Sequence, residues 1–181
     1  MEADFWLQKW EKNETAFHQS AANQFLVKHF DALKLQPGAR VFVPLCGKTL
    51  DIAWLLTKGY QVAGAELSQL AIDQLFENLG AKPSIKKIGK LLHYSAPSID
   101  IFVGDIFELT AETLGTVDAI YDRAALVALP AGMRDRYASH LLTITNSAPQ
   151  LTICYVYDQS LQAGPPFSVT NVAVYCLLRS I

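Results

Sequence analysis

A chain of 181 residues is long enough for one domain with a sizeable core, and 51% hydrophobic against 18% charged residues excludes a disordered composition. The net charge is −2 and the basic residues are scattered, which argues against nucleic acid as a partner. No apolar run approaches the roughly 20 residues of a membrane span, and the mixed-charge start MEADFWLQKWEKNE lacks the apolar centre of a signal peptide, so a cytoplasmic protein is expected. Three cysteines (Cys46, Cys154, Cys176) form no metal-type spacing and fit a reduced protein without a metal site.

The first segment, Asp4–His18, sets Trp6, Trp10 and Phe17 in a polar stretch with no clean helical or strand period. Two readings stay open: an aromatic arm packed on the core, which is the plainer, and a lid whose rings cover a flat ligand. Ala22–Leu35 places Ala22, Phe25, Leu26, Phe30 and Leu33 on one helical face, stopped by Pro37-Gly38; His29 lies on that face, packed or half-exposed. Arg40–Leu45 is a short apolar run of the kind buried on both faces of a parallel sheet.

Cys46-Gly47-Lys48 is a turn, and Thr49 caps a helix in which Asp51 favours the positive N-terminal dipole. Leu50, Ala53, Trp54 and Leu56 form its apolar stripe and Gly59 stops it. Gln61–Leu67 is the second strand. Glu66, near its carboxyl end, stands 19 residues after Gly47, close to the about 20 at which a Rossmann unit sets an acid on a ribose diol. A turn with one glycine and a lysine is not the G-x-G-x-x-G fingerprint. It suits a nucleoside better than a pyrophosphate-bearing dinucleotide.

Ser68 caps a further helix with Ala71, Ile72, Leu75 and Leu79 inward, and Lys82–Pro97 reads as a long irregular connection. Ile99–Val103 and Val117–Tyr121 are the third and fourth strands. Gly104-Asp105-Ile106 follows the former, and Asp122-Arg123 with apolar Ala124–Leu129 the latter. Pro130 opens a helix lined by Met133, Tyr137, Leu141 and Ile144; Leu151–Tyr157 is the fifth strand, Gly164–Phe167 a rigid turn and Val172–Leu178 a last apolar run. The pattern predicts an α/β fold with a doubly wound, mostly parallel Rossmann-like sheet. Glu66, Asp105, Asp122 and Asp158 would share its carboxyl rim, where such sheets bind ligands.

The segments FWLQKWEKNETAFHQ, VPLCGKTLDIAWL, GAELS, GDIFELT, YDRAALVALP and YDQ…AGPPFSV resemble thiopurine S-methyltransferases, the bacterial form especially, from Asp4 to about Val169. The resemblance implies a class I S-adenosyl-L-methionine (SAM)-dependent methyltransferase fold. It implies methyl transfer to an aromatic or heterocyclic thiol, with selenium and tellurium species as further acceptors. At the matching positions it implies that Trp10, Leu45, Glu66, Ile106 and Arg123 contact SAM, with Asp105 beside the adenine and Phe17 at the substrate pocket. Arg123, directly after the fourth strand and before an apolar run, is also the catalytic candidate, either stabilising an acceptor's anionic form or holding the cofactor side. A single domain over 1–181 follows, with 1–36 as arm and lid-forming helix, 40–158 as core and 159–181 as tail. A monomer acting on small molecules is expected. Only 23 residues follow Asp158, too few for the family's closing helix and strand pair, so the tail reads as truncated or divergent and the fifth strand as an exposed edge.

The chemistry asks little of the protein beyond alignment and exclusion of water, and no dedicated base is required. His18 is the one histidine near the proposed site, and packing is its commoner role than base. Cys46 reads as a buried small residue rather than a nucleophile. Two alternatives remain: a nicotinamide-dependent enzyme, which suits Glu66 but not the missing glycines, and a SAM-binding protein with lost turnover.

Overall fold

The computed structural model describes residues 3–15 and 18–178. Its centre is a seven-stranded sheet. The strands are β1 (Arg40–Pro44), β2 (Gln61–Glu66), β3 (Ser84–Ile88), β4 (Leu91–Ala96), β5 (Ile99–Val103), β6 (Ala119–Arg123) and β7 (Gln150–Ile153). Their order is β3-β4-β5-β2-β1-β6-β7, with β5, β2, β1, β6 and β7 parallel and the β3–β4 hairpin antiparallel at one edge. The predicted connection over Lys82–Pro97 is therefore a hairpin. Its outer strand is exposed along its whole length, so no apolar alternation marks it.

The helices are α1 (Ala3–Glu11), α2 (Gln24–His29), α3 (Leu50–Thr57), α4 (Gln69–Asn78), α5 (Ala111–Leu114), α6 (Ala131–Ile144) and α7 (Asn171–Leu178). They cover both sheet faces, as parallel crossovers require. Side-chain alternation divides the core: Val41, Val43, Val62, Ile101 and Tyr121 pack on the side of α2, α3 and α4, while Phe42, Ala63, Phe102 and Ile120 pack on the side of α6. The two halves of the sheet wind outward from β1, so the switch point lies between the carboxyl ends of β1 and β6.

Several boundaries differ from expectation. The N-terminal arm is helical, with Trp10 its buried residue. The predicted helix over Ala22–Leu35 begins later, at an Asn23 cap, and tightens into a 3-10 turn over Phe30–Leu33. That rotation leaves Phe25 and His29 outside, stacked on each other with ring centres 6.4 Å apart. The fourth strand runs to Arg123 and the fifth stops at Ile153. Among the described residues no strand pairs with the outer side of β7, and no helix is long and apolar enough to cross a membrane.

Candidate functional site

A cavity of about 650 Å³, within the range of small-molecule sites, opens at the carboxyl ends of β1, β2 and β6, beside the switch point. Its floor is the turn Leu45–Thr49 with Glu66 and Leu67; Arg123, Ala124, Val127 and Ala128 form one wall. Phe5, Trp6, Lys9 and Trp10 of α1 cover it, with Glu14 and His18 beyond them, and Gly164–Pro166 closes the far side. Both strand exits at the switch point are bent into the left-handed region by non-glycine residues: Leu45 at φ 46° after β1 and Ala124 at φ 62° after β6. Such conformations cost energy and collect at ligand sites.

Glu66 is buried, and its two oxygens are used differently from a surface acid's. Oε2 accepts the Gly47 backbone N–H at 2.7 Å and Oε1 the Ser68 N–H at 2.9 Å. A carboxylate has about four acceptor positions, so these amides leave acceptor capacity for a hydroxyl donor from the cavity. Burial raises the Glu66 pKa, and the backbone N–H groups of Ser68, Gly47 and Leu67 partly offset it. The residues present therefore fit a ribose-bearing cofactor, and the aromatic cover fits its flat ring.

Gly47 shows why the turn holds that residue. Its φ is +51°, and a Cβ there would stand 2.8 Å from the Trp10 ring. The indole rests directly on the turn's backbone. Lys48 lies beside the same ring, 5.9 Å from its centre, and donates to Gln74 Oε1 on α4 at 2.8 Å.

Arg123 is held from behind. Its Nε donates to Asp51 Oδ2 at 2.7 Å and its Nη2 to Thr49 Oγ1 at 2.8 Å, with 10% of the side chain exposed. Among the described residues its Nη1 group has no partner. His18 lines the same cavity; burial first, then the charges of Lys48 and Arg123, lower its pKa, so the imidazole is neutral near pH 7. Cys46 is buried, and desolvation followed by the Glu66 charge pushes its thiol well above the ordinary range, which removes thiolate reactivity.

The structure thus brings Trp10, Leu45, Glu66 and Arg123 to one cavity. Asp105 and Ile106 lie outside its lining, one strand over on the same rim, where the Gly104 N–H donates to the Glu66 carbonyl at 2.9 Å. Asp105 caps the turn that follows β5 through Phe107 N–H at 3.0 Å, and the Ile106 carbonyl meets His140 Nε2 at 2.8 Å. Phe17 lies outside the described residues. The expected rim of four acids is corrected: Asp122 is buried on the opposite sheet face with Tyr137 Oη at 2.7 Å and the Leu126 N–H at 3.1 Å, and exposed Asp158 caps a turn. Sequence reasoning also missed Asp51, Lys9 and the approach of Pro165 and Pro166. Among the described residues no group of His, Cys, Asp and Glu is placed to hold a metal.

Comparison with known proteins accords with this geometry. The family model described as thiopurine S-methyltransferase matches residues 1–180. A thiopurine S-methyltransferase of Xanthobacter autotrophicus is 61% identical over 170 residues, covering 93% of this chain and 80% of the relative. Those of Gluconobacter oxydans and Teredinibacter turnerae are 50% and 51% identical, over 92% and 96% of this chain and 76% and 81% of theirs. Among solved structures, the 1,6-didemethyltoxoflavin-N1-methyltransferase of Burkholderia thailandensis, with bound S-adenosylhomocysteine, aligns at TM-score 0.69 and 15% identity, over 98% of this chain and 74% of the other. A SAM-dependent methyltransferase of Anabaena variabilis gives TM-score 0.65 at 13% identity, over 97% of this chain and 79% of the other. These likenesses show the fold. The sequence matches carry more: this chain belongs to the thiopurine S-methyltransferase family and is a SAM-dependent methyltransferase.

Proposed function

We propose that this protein methylates the sulfur of aromatic or heterocyclic thiols of the thiopurine type. The observation that carries the reading is one cavity combining a flat aromatic cover, a diol-ready carboxylate and a back-anchored arginine. Bound SAM supplies a methyl group on a sulfonium, already activated for transfer. Glu66 holds the ribose hydroxyls and Trp10 covers the flat ring, with the Leu45 backbone at the turn. Asp105 and Ile106 extend this binding surface toward the adenine. The Arg123 guanidinium stabilises the acceptor's anionic form beside the methyl, and Phe17 belongs to the acceptor side.

The acceptor sulfur forms its bond to the methyl carbon as the carbon–sulfonium bond breaks, and the acceptor's proton leaves to solvent when the thiolate forms. The residues align these atoms and exclude water. Neutral His18 is available as a proton acceptor, but an aromatic thiol ionises without one. Anionic selenium and tellurium species are a second acceptor class that the same arginine would serve.

The test is methyl transfer from SAM to a thiophenol, a thiopurine and a selenol, with SAM and NAD affinities measured by calorimetry. Turnover of the thiols with SAM binding and no NAD binding is expected. SAM binding without turnover would make this a SAM-binding protein. Tight NAD binding would overturn the site reading.

A further inference from the structure

Asp51 is an acid at a place where helices bury apolar side chains. It lies on α3, is fully buried, and receives three donors. Its Oδ1 accepts the backbone N–H of Asn23 at 2.7 Å. Its Oδ2 accepts both Arg123 Nε at 2.7 Å and Tyr121 Oη at 3.0 Å. Tyr121 remains a donor, since burial and the Asp51 charge both push its ionisation up.

Each oxygen thus serves a different part of the molecule. From Oδ1 the hydrogen bonds run outward: Asn23 Nδ2 donates to Gln19 Oε1 at 3.0 Å, and Gln19 directly follows His18 of the cavity lining. From Oδ2 they run to the guanidinium on the cavity wall. The fork of Arg123 is fixed on its Nε and Nη2 sides by Asp51 and Thr49, so the placement of Nη1 is set from α3. A buried ion pair adds little net stability over an apolar pair, whereas it specifies one geometry well. Retaining a fully buried acid here makes sense if the position of Arg123 matters.

We propose that Asp51 is the positioning residue for Arg123, and that its second oxygen couples the arginine to the Gln19–Asn23 segment adjoining the cavity cover. The inference rests on the methyl-transfer reading of the site. Asp51 does not line the cavity and touches no reacting atom. It acts through the arginine.

Four forms of the full chain are compared: wild type, Asp51→Asn, Arg123→Lys and the double variant. Asp51→Asn should lower kcat/KM for a thiophenol at least about tenfold with Arg123 present and less than about threefold with Arg123→Lys. Equal fold-losses of activity in the two backgrounds would overturn the positioning role. If Asp51→Asn does not fold, Tyr121→Phe replaces it; removing one donor from Oδ2 should shift acceptor kcat only while Arg123 is present.

A second readout needs no turnover. The Arg123 Nε–H should give a slowly exchanging NMR resonance, and Gln19→Ala, outside the ion pair, should speed its exchange at least about threefold. Fast exchange in the wild type overturns the pairing, and no effect of Gln19→Ala overturns the coupling. Failure of the wild type to bind SAM in calorimetry would defeat the functional reading alone, because the resonance still reports on the pair.

Discussion

At Glu66 the chain commits a buried carboxylate to backbone N–H groups, with acceptor capacity left toward the cavity. On the proposed reading, Glu66→Ala removes the charge-assisted acceptor of the ribose hydroxyls and also frees the Gly47 and Ser68 amides. It should weaken SAM binding by about 1.5–3 kcal/mol in calorimetry, and unchanged affinity would remove the role. For Arg123, replacement by alanine should abolish most methyl transfer and also lower the melting temperature, because it leaves buried Asp51 without its counter-charge. Lysine should restore only part of the activity, because a point charge does not reproduce the planar fork. The loss should grow as the acceptor thiol becomes less acidic, whereas an arginine serving only the cofactor would mainly raise the KM for SAM. The pH dependence follows from His18. Its pKa is lowered by burial, Lys48 and Arg123, so it is already neutral at pH 7 and adds no further rise in rate above that. The rising limb of kcat/KM should therefore move with the thiol pKa across a series of acceptors. A limb fixed at one pH for every acceptor would assign it to a protein group instead.

At the scale of elements, α1 is the part whose behaviour decides access. Its indole sits on Gly47, a contact possible only because that residue is glycine in the left-handed region. Gly47→Ala would add a left-handed penalty of about 1–2 kcal/mol and drive a Cβ to 2.8 Å from the Trp10 ring, so the helix must lift. Weaker SAM binding and faster amide exchange across Ala3–Glu11 are expected. In the wild type, SAM should slow exchange over the same residues; equal protection with and without SAM would make α1 a packing element rather than a lid. The aromatic weight of this segment was readable in the sequence, and its helix was not. Trp6 and Trp10 are four apart, but the helix is short and its buried indole rests on the distant turn.

For the molecule as a whole, acid stability should be governed in part by the amino end of the sheet, away from the cavity. Asp100 on β5 accepts from Arg40 Nη2 of β1 at 3.2 Å and meets His93 Nε2 of β4 at 2.8 Å, which ties three strands together. Burial pushes its carboxyl up, but the hydrogen bonds of His93 and Ser95 and the charge of Arg40 outweigh that and hold it below the ordinary carboxylate range. A folded pKa below the unfolded one stabilises the protein above the unfolded value, and the contribution is lost as pH falls through the folded value. Asp100→Asn should therefore lower the melting temperature at neutral pH, with the difference shrinking as pH drops below the carboxylate range. A difference independent of pH would point to packing alone.

The βαβ core, its crossover helices and the Gly47–Glu66 spacing were legible because they rest on local signals: apolar runs, caps and turn glycines act over a few residues. Glu66 and Arg123 were legible as rim positions because they stand at strand ends, whereas Trp10 and Leu45 rested on the family resemblance. Asp51 was not. The apolar stripe read on α3 (Leu50, Ala53, Trp54, Leu56) is half-buried, while the face turned fully inward is Asp51, Ile52 and Leu55. An acid at a helix start has a sufficient local explanation in the dipole, so nothing nearby in sequence announces its distant donors at Tyr121 and Arg123. Asp122 illustrates the converse, since strand alternation sends it to the face opposite Tyr121 and Arg123, toward Tyr137 of α6. The sequence by itself determined the fold class, the crossover helices and the placing of Glu66 and Arg123 at strand ends, since these follow from periodicity and short-range turns. Which acids face the cavity, which are buried behind it and what holds the arginine were decided only by tertiary packing, because the side-chain donors that fix Asp51 lie about 70 positions away and Asp122 meets Tyr137 of another element.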